Sequence, residues 1–514
     1  MPKWHGRIRT LVVSESQYVS NSDTGTAGAR LAALREIAAR TRGAGQPLSP
    51  VVLAGLARAS EFAVIALAGI NCYYAYVAER EIAMETAYWT VSLATPAIAI
   101  SAFHFSGLYA LRALKSFVTQ LPRLLIAWSG VAALLLVVAF FTKIGAEFSR
   151  VWMALWFASA SVLLITVRAS AAMTLAAWTR SGRLTRRGVI VGAGDGAAEL
   201  MKALSQSRDN DVRICGIFDD REGERSPPSI AGKRRLGNID ELIEFARKAH
   251  IDLLIIALPI TAETRVLDLL RRLWVLPVDI RLSAHLSRLR FRPRTYSYIG
   301  TVPFLDLLDR PLCDWNLVLK KAEDLVIGAA ALALLAPVMA LVALAVKLDS
   351  PGPVLFRQRR YGFNNELIEV LKFRSMYTDR CDRDAERLVF KGDPRVTRVG
   401  RFIRRTSLDE LPQLVNVIRG ELSLVGPRPH ALHAKAENRH YADVVDSYFA
   451  RHRVKPGITG WAQVNGWRGE TENEMQIRRR VEHDLYYINN WSLWLDLYIL
   501  AMTPLALFGS ERAY

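Results

Sequence analysis

Two adjacent carboxylates in a strongly basic neighbourhood are the residues of this 514-residue sequence best suited to chemistry. Asp409 and Glu410 follow a segment, residues 395–405, that contains five arginines, and Arg428 comes later in the turn Gly-Pro-Arg-Pro. Guanidinium groups bind phosphate oxygens in pairs, so acidic groups surrounded by arginines suit a substrate that carries phosphates. The spacing therefore predicts a site that handles phosphate groups.

The same residues also fit a purely structural role. Ser407 and Glu410 match a capping box, in which the serine caps a helix and the glutamate reaches back to its first amide. Acidic residues in a first turn stabilise the helix dipole whatever their function. Apolar residues at helical spacing predict a helix after Ser407 that ends near Gly420. Taken alone, Asp409 and Glu410 favour the structural role. The nearby arginines and the membrane context favour a catalytic role.

Composition indicates a membrane protein with basic cytoplasmic faces. The formal net charge is +18, yet 51% of the residues are hydrophobic and the mean hydropathy is +0.13. This combination argues against a nucleic-acid binder, and we expect no nucleic-acid partner. The four cysteines lack metal-binding spacing, which indicates reduced thiols and no zinc site. Residues 1–50 contain no signal-peptide core and are expected to form a flexible cytoplasmic N-terminus.

Four stretches without Asp, Glu, Lys or Arg predict four transmembrane helices within residues 51–180. These stretches are 62–78, 86–111, 124–142 and 151–167. Basic residues lie between the second and third stretches and after the fourth. By the positive-inside rule, both ends of the bundle face the cytoplasm.

Residues 185–290 are predicted to form a Rossmann-like cytoplasmic domain. A buried strand leads into the glycine turn 192–196, and a second strand ends at Asp219, about where an acid could meet a ribose. Alternation of strands and helices implies a parallel α/β sheet. Ala197 replaces the last glycine of the fingerprint, which favours a structural or regulatory role over a bound cofactor. Residues 291–313 are expected to be a linker.

A further apolar stretch, residues 325–346, is long enough to span a bilayer but is predicted to be re-entrant. Pro337 lies near its middle, where it removes a helix hydrogen bond and bends the helix. Both flanks are basic, and a fifth crossing would place Asp409 away from cytoplasmic nucleotides. A helix over 322–347 that enters one leaflet, bends and returns meets these conditions; an ordinary fifth span is the alternative.

Ordered signatures across residues 315–508 resemble the bacterial polyprenyl-phosphate hexose-1-phosphate transferases. They comprise Asp-Ser-Pro-Gly-Pro-Val (349–354), Lys-Phe-Arg-Ser-Met (372–376), the arginine-rich run through Asp-Glu-Leu-Pro-Gln-Leu (395–414), Ser-Leu-Val-Gly-Pro-Arg-Pro (423–429) and Lys-Pro-Gly-Ile-Thr-Gly-Trp-Ala-Gln-Val (455–464). The four spans and the Rossmann-like domain match the long form of the family. Residues 465–470 and 480–488 resemble its undecaprenyl-phosphate glucose phosphotransferases. One departure is Ala336, where many members have serine before the bend proline.

The resemblance implies a reaction and a set of site residues. A hexose-1-phosphate, with glucose-1-phosphate favoured, would be transferred from a UDP-sugar to undecaprenyl phosphate with release of UMP. This reaction would be the first membrane step of exopolysaccharide or capsule assembly. Asp409 would attack phosphorus and hold a covalent phosphosugar, while Glu410 with Asp409 would hold Mg²⁺ on the diphosphate. The residues expected to bind substrate phosphates are Lys372, Arg374, Arg398, Arg401 and Arg428.

The implied architecture has three parts: an α-helical transmembrane bundle, the α/β Rossmann-like domain, and a mixed, mostly helical catalytic domain over residues 314–514 with the re-entrant helix. We expect a multi-pass protein of the bacterial inner membrane with a cytoplasmic catalytic domain, contacts with membrane lipids and, by family analogy, a homodimer. UDP-galactose is the alternative donor. The alternative functions are a membrane nucleotide-sugar dehydratase or epimerase that uses the middle domain, and a non-catalytic nucleotide sensor.

Overall fold

A computed structural model of the chain describes residues 48–79, 85–207, 210–221, 227, 229–259, 261–284, 296–299, 302–378, 393–429, 435–436, 439–440, 448–467 and 474–508. The chain divides into two compact units, one of residues 44–186 and one that includes residues 187–514. The flexible segment predicted for residues 1–50 lies, up to residue 47, outside the described residues.

The first unit is a bundle of apolar helices. Its elements are α1 (Pro50–Tyr76), α2 (Glu85–Phe105), α3 (Leu111–Lys115), α4 (Phe117–Phe141) and α5 (Arg150–Arg180). The Ser49 hydroxyl caps α1 by accepting a hydrogen bond from the Val51 amide, and proline follows at the first helical position. The indole nitrogens of Trp152 and Trp156 donate to carbonyl groups of α1, which ties α5 to α1 inside the aromatic core.

Three of the bundle helices, α1, α4 and α5, are long and apolar enough to cross a membrane, as is the later helix Asp314–Asp349. The second predicted span corresponds to α2, which is not among these four and ends at Phe105 rather than at residue 111. Gly107 follows with a left-handed φ of 69°, and its turn leads into α3. The second span is therefore shorter than the sequence predicts.

A buried ion pair in the bundle was not anticipated from the sequence. Glu61 of α1 and Arg168 of α5 contact each other with side-chain exposures of 0% and 1%. The Tyr109 hydroxyl donates to Glu61 at 2.6 Å, and Arg168 donates to the Leu108 carbonyl at 2.9 Å. Both charges lie one residue outside the uncharged stretches used to predict the spans, so the search for those stretches passed over them.

The middle domain, residues 186–308, is built on an eight-stranded sheet with the strand order β3-β4-β2-β1-β5-β6-β8-β7. Its elements are β1 (Arg186–Val191), α6 (Asp195–Gln206), β2 (Val212–Phe218), β3 (Ser229–Ile230), β4 (Lys233–Gly237), α7 (Ile239–Ala249), β5 (Leu253–Ile256), α8 (Glu263–Leu273), β6 (Asp279–Ser283), β7 (Tyr296–Ile299) and β8 (Val302–Leu308). The central pairs β2–β4, β1–β5 and β5–β6 are parallel, which confirms the predicted α/β character. Strands β1 and β5 are apolar because the sheet has a hydrophobic core on each face.

Part of the predicted linker, residues 291–313, belongs to this sheet. Strands β7 and β8 pair antiparallel with each other, and β8 pairs antiparallel with β6. Phe304 of β8 is fully buried in the core, so this hairpin is held by packing as well as by hydrogen bonds. The linker prediction was therefore wrong for these strands, and the domain extends to Leu308 rather than to residue 290.

Asp219, which the sequence places near a ribose, is bound by the protein itself. Its carboxylate accepts a hydrogen bond from the Ala193 amide at 2.7 Å and from the Arg221 guanidinium at 2.9 Å. Arg265 lies 3.5 Å away on the same carboxylate. These donors occupy the carboxylate oxygens, so Asp219 stabilises the glycine turn after β1.

The C-terminal domain, residues 314–508, is mixed and mostly helical, as the sequence predicts. Its helices and strands are α9 (Asp314–Asp349), β9 (Leu355–Tyr361), β10 (Leu367–Phe373), α10 (Arg398–Arg405), α11 (Gln413–Ile418), β11 (Ser423–Val425), β12 (Lys435–Ala436), β13 (Arg439–His440), β14 (Gly457–Thr459), α12 (Trp461–Val464), α13 (Glu474–Asn489) and α14 (Leu493–Phe508). Short 3-10 helices cover Phe363–Asn365, Leu408–Glu410 and Tyr448–Arg453. Strands β9 and β10 form an antiparallel hairpin, and β11 pairs with β14 in parallel.

Helix α9 is one 36-residue helix, longer at both ends than the predicted 322–347, with Pro337 inside it. Its first half is fastened to the C-terminal domain by buried polar contacts. The Lys320 ammonium lies 2.6 Å from the Asp496 carboxylate of α14. Asp324 accepts a hydrogen bond from the Ser423 hydroxyl at 2.9 Å. Asp496, which interrupts an apolar sequence, is therefore an internal anchor and not a solvent-facing break.

The second half of α9 packs on the same domain. Val342 and Val346 contact Phe373 of β10 and Ile403 of α10 in one apolar cluster. Between the two attachments the helix exposes large apolar side chains, among them Leu334 with 78% exposure. An apolar surface of this kind is typical of a segment that contacts lipid.

The Lys320 cluster generates a stability prediction. Lys320→Met should leave the buried carboxylates of Glu323, Asp324 and Asp496 without their cation and destabilise the protein by about 3–5 kcal/mol. Lys321→Met, the same change at the adjacent exposed position, is the matched control and should have little effect. Chemical unfolding in detergent compares the two variants, and equal midpoints would contradict the anchoring role of this cluster.

Candidate active site

The predicted carboxylates lie on a one-turn 3-10 helix, Leu408–Glu410, directly after α10. Ser407 precedes them with a left-handed φ of 57°, so the chain turns sharply just before the pair. The capping box expected under the structural interpretation does not form, because the Ser407 side chain makes no capping hydrogen bond. The following helix begins only at Gln413, after Pro412. A sharp backbone turn, and not a capped helix, presents Asp409 and Glu410.

Two cations from different elements hold Glu410. The Lys372 ammonium of β10 lies 2.9 Å from its carboxylate, and the Arg428 guanidinium lies 2.5 Å and 3.2 Å from its two oxygens. Burial disfavours the charged form of Glu410, but Arg428 and Lys372 outweigh it and hold the pKa of this carboxyl well below its ordinary value. Glu410 is therefore a permanent anion at neutral pH.

Asp409 experiences a different environment although it is the adjacent residue. Within the described part of the chain, no donor hydrogen-bonds to its carboxylate. Burial raises the pKa of Asp409 to about 6, the charge of Glu410 adds to this rise, and Lys372 and Arg404 oppose it. The more basic carboxylate is thus the one that is free to react, and the less basic one is fixed by cations.

Lys372 and the carboxylate pair are linked through Asn416 of α11. The fully buried Asn416 side chain accepts a hydrogen bond from the Leu371 amide at 3.0 Å and donates to the Glu369 carbonyl at 2.8 Å. It therefore fixes the strand that carries Lys372 against the helix that follows Glu410. A side-chain amide is suited to this position because it both donates and accepts.

Arg428 extends from a tightly packed turn between β11 and β14. The Gly426 amide donates to the Thr459 carbonyl at 2.9 Å, and the Gly457 amide donates to the Pro427 carbonyl at 3.0 Å. A Cβ atom on Gly426 would lie 2.5 Å from the Lys455 carbonyl oxygen, so only glycine permits this approach. The Gly-Pro-Arg-Pro sequence therefore gives Arg428 a rigid base.

Arg374 lies two residues after Lys372 but serves the backbone. Its buried guanidinium donates to the carbonyl oxygens of Ser350 and Pro351, each at 2.6 Å. These groups follow the carboxyl end of α9, where carbonyl groups lack partners within the helix. The structure therefore shows Arg374 bound to these carbonyl groups and not to the carboxylate pair, and its predicted role in phosphate binding remains a prediction.

Arg398 and Arg401 lie on an exposed face of α10. They share this face with Phe402, whose side chain is 61% exposed. Among the described residues, no ion pair joins either arginine to Asp409 or Glu410. Their predicted contact with substrate phosphates remains a prediction, beside the alternative of lipid head groups or solvent.

Two cations that the sequence prediction omitted belong to the site. Arg404 of α10 is half-buried and lowers the pKa of Asp409. Arg360 of β9 is half-buried near Arg428 and Glu410; burial and the charge of Arg428 lower its pKa to about 10, while Glu410 opposes this. Among the described residues, the site therefore has four cations around two carboxylates.

Strand periodicity could have identified Arg360, whereas helix periodicity could not have identified Arg404. On β9, Arg357 and Arg359 are exposed and alternate with the inward side chains of Gln358 and Arg360. On α10, Arg398, Arg401 and Arg404 follow one another at intervals of three residues, so helical spacing alone does not separate Arg404 from the other two. The sequence prediction treated the arginines as one cluster without assigning faces.

A recess of the C-terminal domain adjoins Arg428. It is lined by Gly460, Ala462, Gln463, Trp467, Arg480 and Asp484. Trp461, in contrast, packs its ring on Tyr486 of α13 with 5.9 Å between ring centroids. Of these two tryptophans, the structure therefore places Trp467 beside Arg428 and Trp461 against α13.

The carboxylate pair is compatible with a magnesium ion. Within the described residues, no group of three or more His, Cys, Asp and Glu side chains is placed to hold a metal ion. Mg²⁺ is commonly bound by one or two carboxylates, with substrate phosphates and waters as its other ligands. Asp409 and Glu410 fit this donor set, which suits an ion that binds together with a diphosphate.

Two families of known proteins match parts of the chain. Residues 315–510 match the family described as bacterial sugar transferase, and residues 104–284 match one described as CoA-binding domain. The chain is 43% identical over 360 residues, 70% of this chain and 66% of the relative, to the undecaprenyl-phosphate glucose phosphotransferase of Komagataeibacter xylinus.

Two further relatives are named UDP-glucose:undecaprenyl-phosphate glucose-1-phosphate transferase. The protein of Escherichia coli (strain K12) is 40% identical over 367 residues, 71% of this chain and 76% of the relative. That of Xanthomonas campestris pv. campestris is 37% identical over 398 residues, 76% of this chain and 80% of the relative. The chain therefore belongs to the bacterial sugar transferase family and is a sugar-phosphate transferase, with relatives of the undecaprenyl-phosphate glucose phosphotransferase type.

Proposed function

We propose that this enzyme transfers glucose-1-phosphate from UDP-glucose to undecaprenyl phosphate and releases UMP, as the first membrane step of exopolysaccharide or capsule assembly. The names of its relatives support the donor and the acceptor. The observation that carries the mechanism is the division of labour in the carboxylate pair: Glu410 is bound by Lys372 and Arg428, while Asp409 is basic and free of hydrogen bonds from described residues.

Asp409 is the proposed nucleophile. One of its oxygens attacks the sugar-linked phosphorus, a bond from oxygen to phosphorus forms, and the bond from that phosphorus to the bridging oxygen breaks, so that UMP leaves. A phosphate oxygen of undecaprenyl phosphate then attacks the same phosphorus and releases the Asp409 carboxylate. Each displacement is easier than direct transfer between two phosphates, which is the usual benefit of a covalent intermediate.

The cations would stabilise the charge that develops in both displacements. Arg428, Lys372, Arg360 and Arg404 approach from four elements, so they are in place before the substrate binds. The diphosphate would draw Lys372 and Arg428 towards its own oxygens. Glu410, with Asp409, would then be available to hold Mg²⁺, which supplies further positive charge at the diphosphate.

We also infer that α9 enters the inner membrane from the cytoplasm and returns to the same side. Its 36 residues would extend about 54 Å if straight, so the ends of a spanning helix would lie on opposite sides of a bilayer. Instead, Lys320 near one end and Val346 near the other both pack on the C-terminal domain. Pro337 provides the position for a bend, and the catalytic site would then lie at the cytoplasmic surface.

Asp409→Asn should reduce UMP release by on the order of 10³-fold or more, because an amide cannot act as the nucleophile. The assay contains purified protein, Mg²⁺, undecaprenyl phosphate and either UDP-glucose or UDP-galactose. Mass spectrometry without the acceptor should show a hexose-phosphate adduct on the unmodified enzyme only. Asp268→Asn, an exposed position of α8, is the control. UMP release by Asp409→Asn at the control rate would exclude the covalent role.

The raised pKa of Asp409 predicts the pH dependence of the reaction. UMP release should increase as the pH rises through about 6, because Asp409 reacts only after it loses its proton. Arg404→Gln removes a positive charge that lowers this pKa, so the acid limb should move to higher pH. Arg405→Gln, at the adjacent exposed position, should leave it in place. An acid limb shared by all three proteins would show that another group controls it.

Cysteine labelling distinguishes a re-entrant α9 from a fifth span. In a variant without the native cysteines, Trp315→Cys and Leu348→Cys at the two ends of α9 should react with an impermeant maleimide only after spheroplasts are opened. Glu147→Cys, between α4 and α5, should react in intact spheroplasts and provides the opposite-side control. Reaction of the two α9 positions from opposite sides would establish a spanning helix.

A further inference from the structure

The 3-10 helix Tyr448–Arg453 contacts the middle domain on one side. Arg453 donates to the backbone carbonyl of Asp309, which follows β8, at 2.9 Å. The guanidinium of Arg247, on α7 of the middle domain, lies 5.5 Å from the centre of the Phe449 ring, within the range of a cation–π contact. Two side chains of this short segment are therefore held by the middle domain and by the residue that follows its last strand.

On its other side, the same segment holds the backbone of Arg428. The buried Arg451 guanidinium donates to the Arg428 carbonyl at 2.9 Å and contacts the Asp484 carboxylate of α13 at 2.5 Å. Arg428 in turn binds Glu410. A continuous set of contacts thus leads from Arg247 through Tyr448–Arg453 to the carboxylate pair.

The β9–β10 hairpin makes a second connection to the middle domain. Asn364 and Asn365 at its tip both have left-handed φ values, 54° and 60°, which asparagine tolerates better than most residues. The Asn364 side chain donates to the Arg247 carbonyl at 3.3 Å, and Asn365 is hydrogen-bonded to His452. Lys372 is on β10 of this hairpin, which contacts α7 through Asn364. Arg428 is held by the segment Tyr448–Arg453, which contacts α7 through Phe449. Both cations that bind Glu410 are therefore connected to α7.

We propose that the middle domain is a positioning device for the phosphate-binding cations, acting through Arg247 and the segment Tyr448–Arg453. A 3-10 helix of six residues is weak by itself, so its position depends on the contacts that hold it from both sides. If the contact of Arg247 with Phe449 were lost, the segment Tyr448–Arg453 could shift. Arg451 would then no longer hold the backbone of Arg428 in one position. Arg247 is a positioning residue, and this role rests on the proposed function of the site that it serves.

Steady-state kinetics of UMP release tests the proposal. Arg247→Ala should raise KM for UDP-glucose on the order of tenfold with a smaller change in kcat, because a mispositioned Arg428 weakens the grip on the donor phosphates. Arg247→Lys keeps a cation over Phe449 and should restore most of the affinity. Lys248→Ala, the adjacent exposed residue, whose partner Glu244 is on the same helix, is the matched control and should match the unmodified enzyme.

Phe449→Leu provides an independent variant that removes the ring from the other side of the contact and should also raise KM. Thermal unfolding of each variant separates loss of positioning from loss of fold. The proposal is overturned if both variants have the KM of Lys248→Ala, or if they lower only the unfolding temperature while the folded fraction keeps its KM. An inactive unmodified enzyme would instead contradict the proposed function itself.

Discussion

The ion pairs of Glu410 with Lys372 and Arg428 are the interaction on which the site depends. Two adjacent carboxylates in a partly buried position repel each other, and removal from water disfavours both charges. Two cations on Glu410 remove much of this cost, and Asp409 is the member of the pair whose charged form is disfavoured by burial. Glu410 is therefore a fixed anion and Asp409 the more basic carboxylate, although both are carboxylic acids on the same short helix.

This interaction imposes a requirement on the fold, because its three charged groups come from segments far apart in the chain. Lys372 is on β10, Glu410 is on the turn after α10, and Arg428 follows β11. A buried amide, Asn416, joins the first two, and the close approach of Gly426 to β14 fixes the third. Asn416 and Gly426 thus keep Lys372 and Arg428 within ion-pair distance of Glu410.

Sequence reasoning identified the members of this interaction but not all of their neighbours. Asp409, Glu410, Lys372 and Arg428 occur in distinctive short motifs, so they could be predicted without the fold, and the structure brings them together. Arg374 lies two residues after Lys372 and Arg404 lies five residues before Asp409, yet only Arg404 is seen to act on the charge of Asp409. Which way an arginine turns depends on tertiary partners, here the carbonyl groups after α9 that bind Arg374.

The same limit explains the misjudged boundaries. Ser407 has the right side chain for a cap, but its left-handed backbone is set by the turn that presents Asp409. Strands β7 and β8 lack a helix between them, so the βαβ alternation that revealed the rest of the sheet did not reveal this hairpin.

Buried opposite charges recur where the apolar helices meet polar surroundings. Glu61 with Arg168 in the bundle, and Lys320 with Asp496 at the start of α9, both lie beside stretches that contain no charge. A charge within an apolar segment is costly unless it is paired, so each pair requires its two helices to stay together. The pair of Lys320 with Asp496 also affects the site, because it joins the first half of α9 to the domain that carries Glu410. Pairing of buried charge therefore connects the attachment of the apolar helix to the arrangement of the reacting groups.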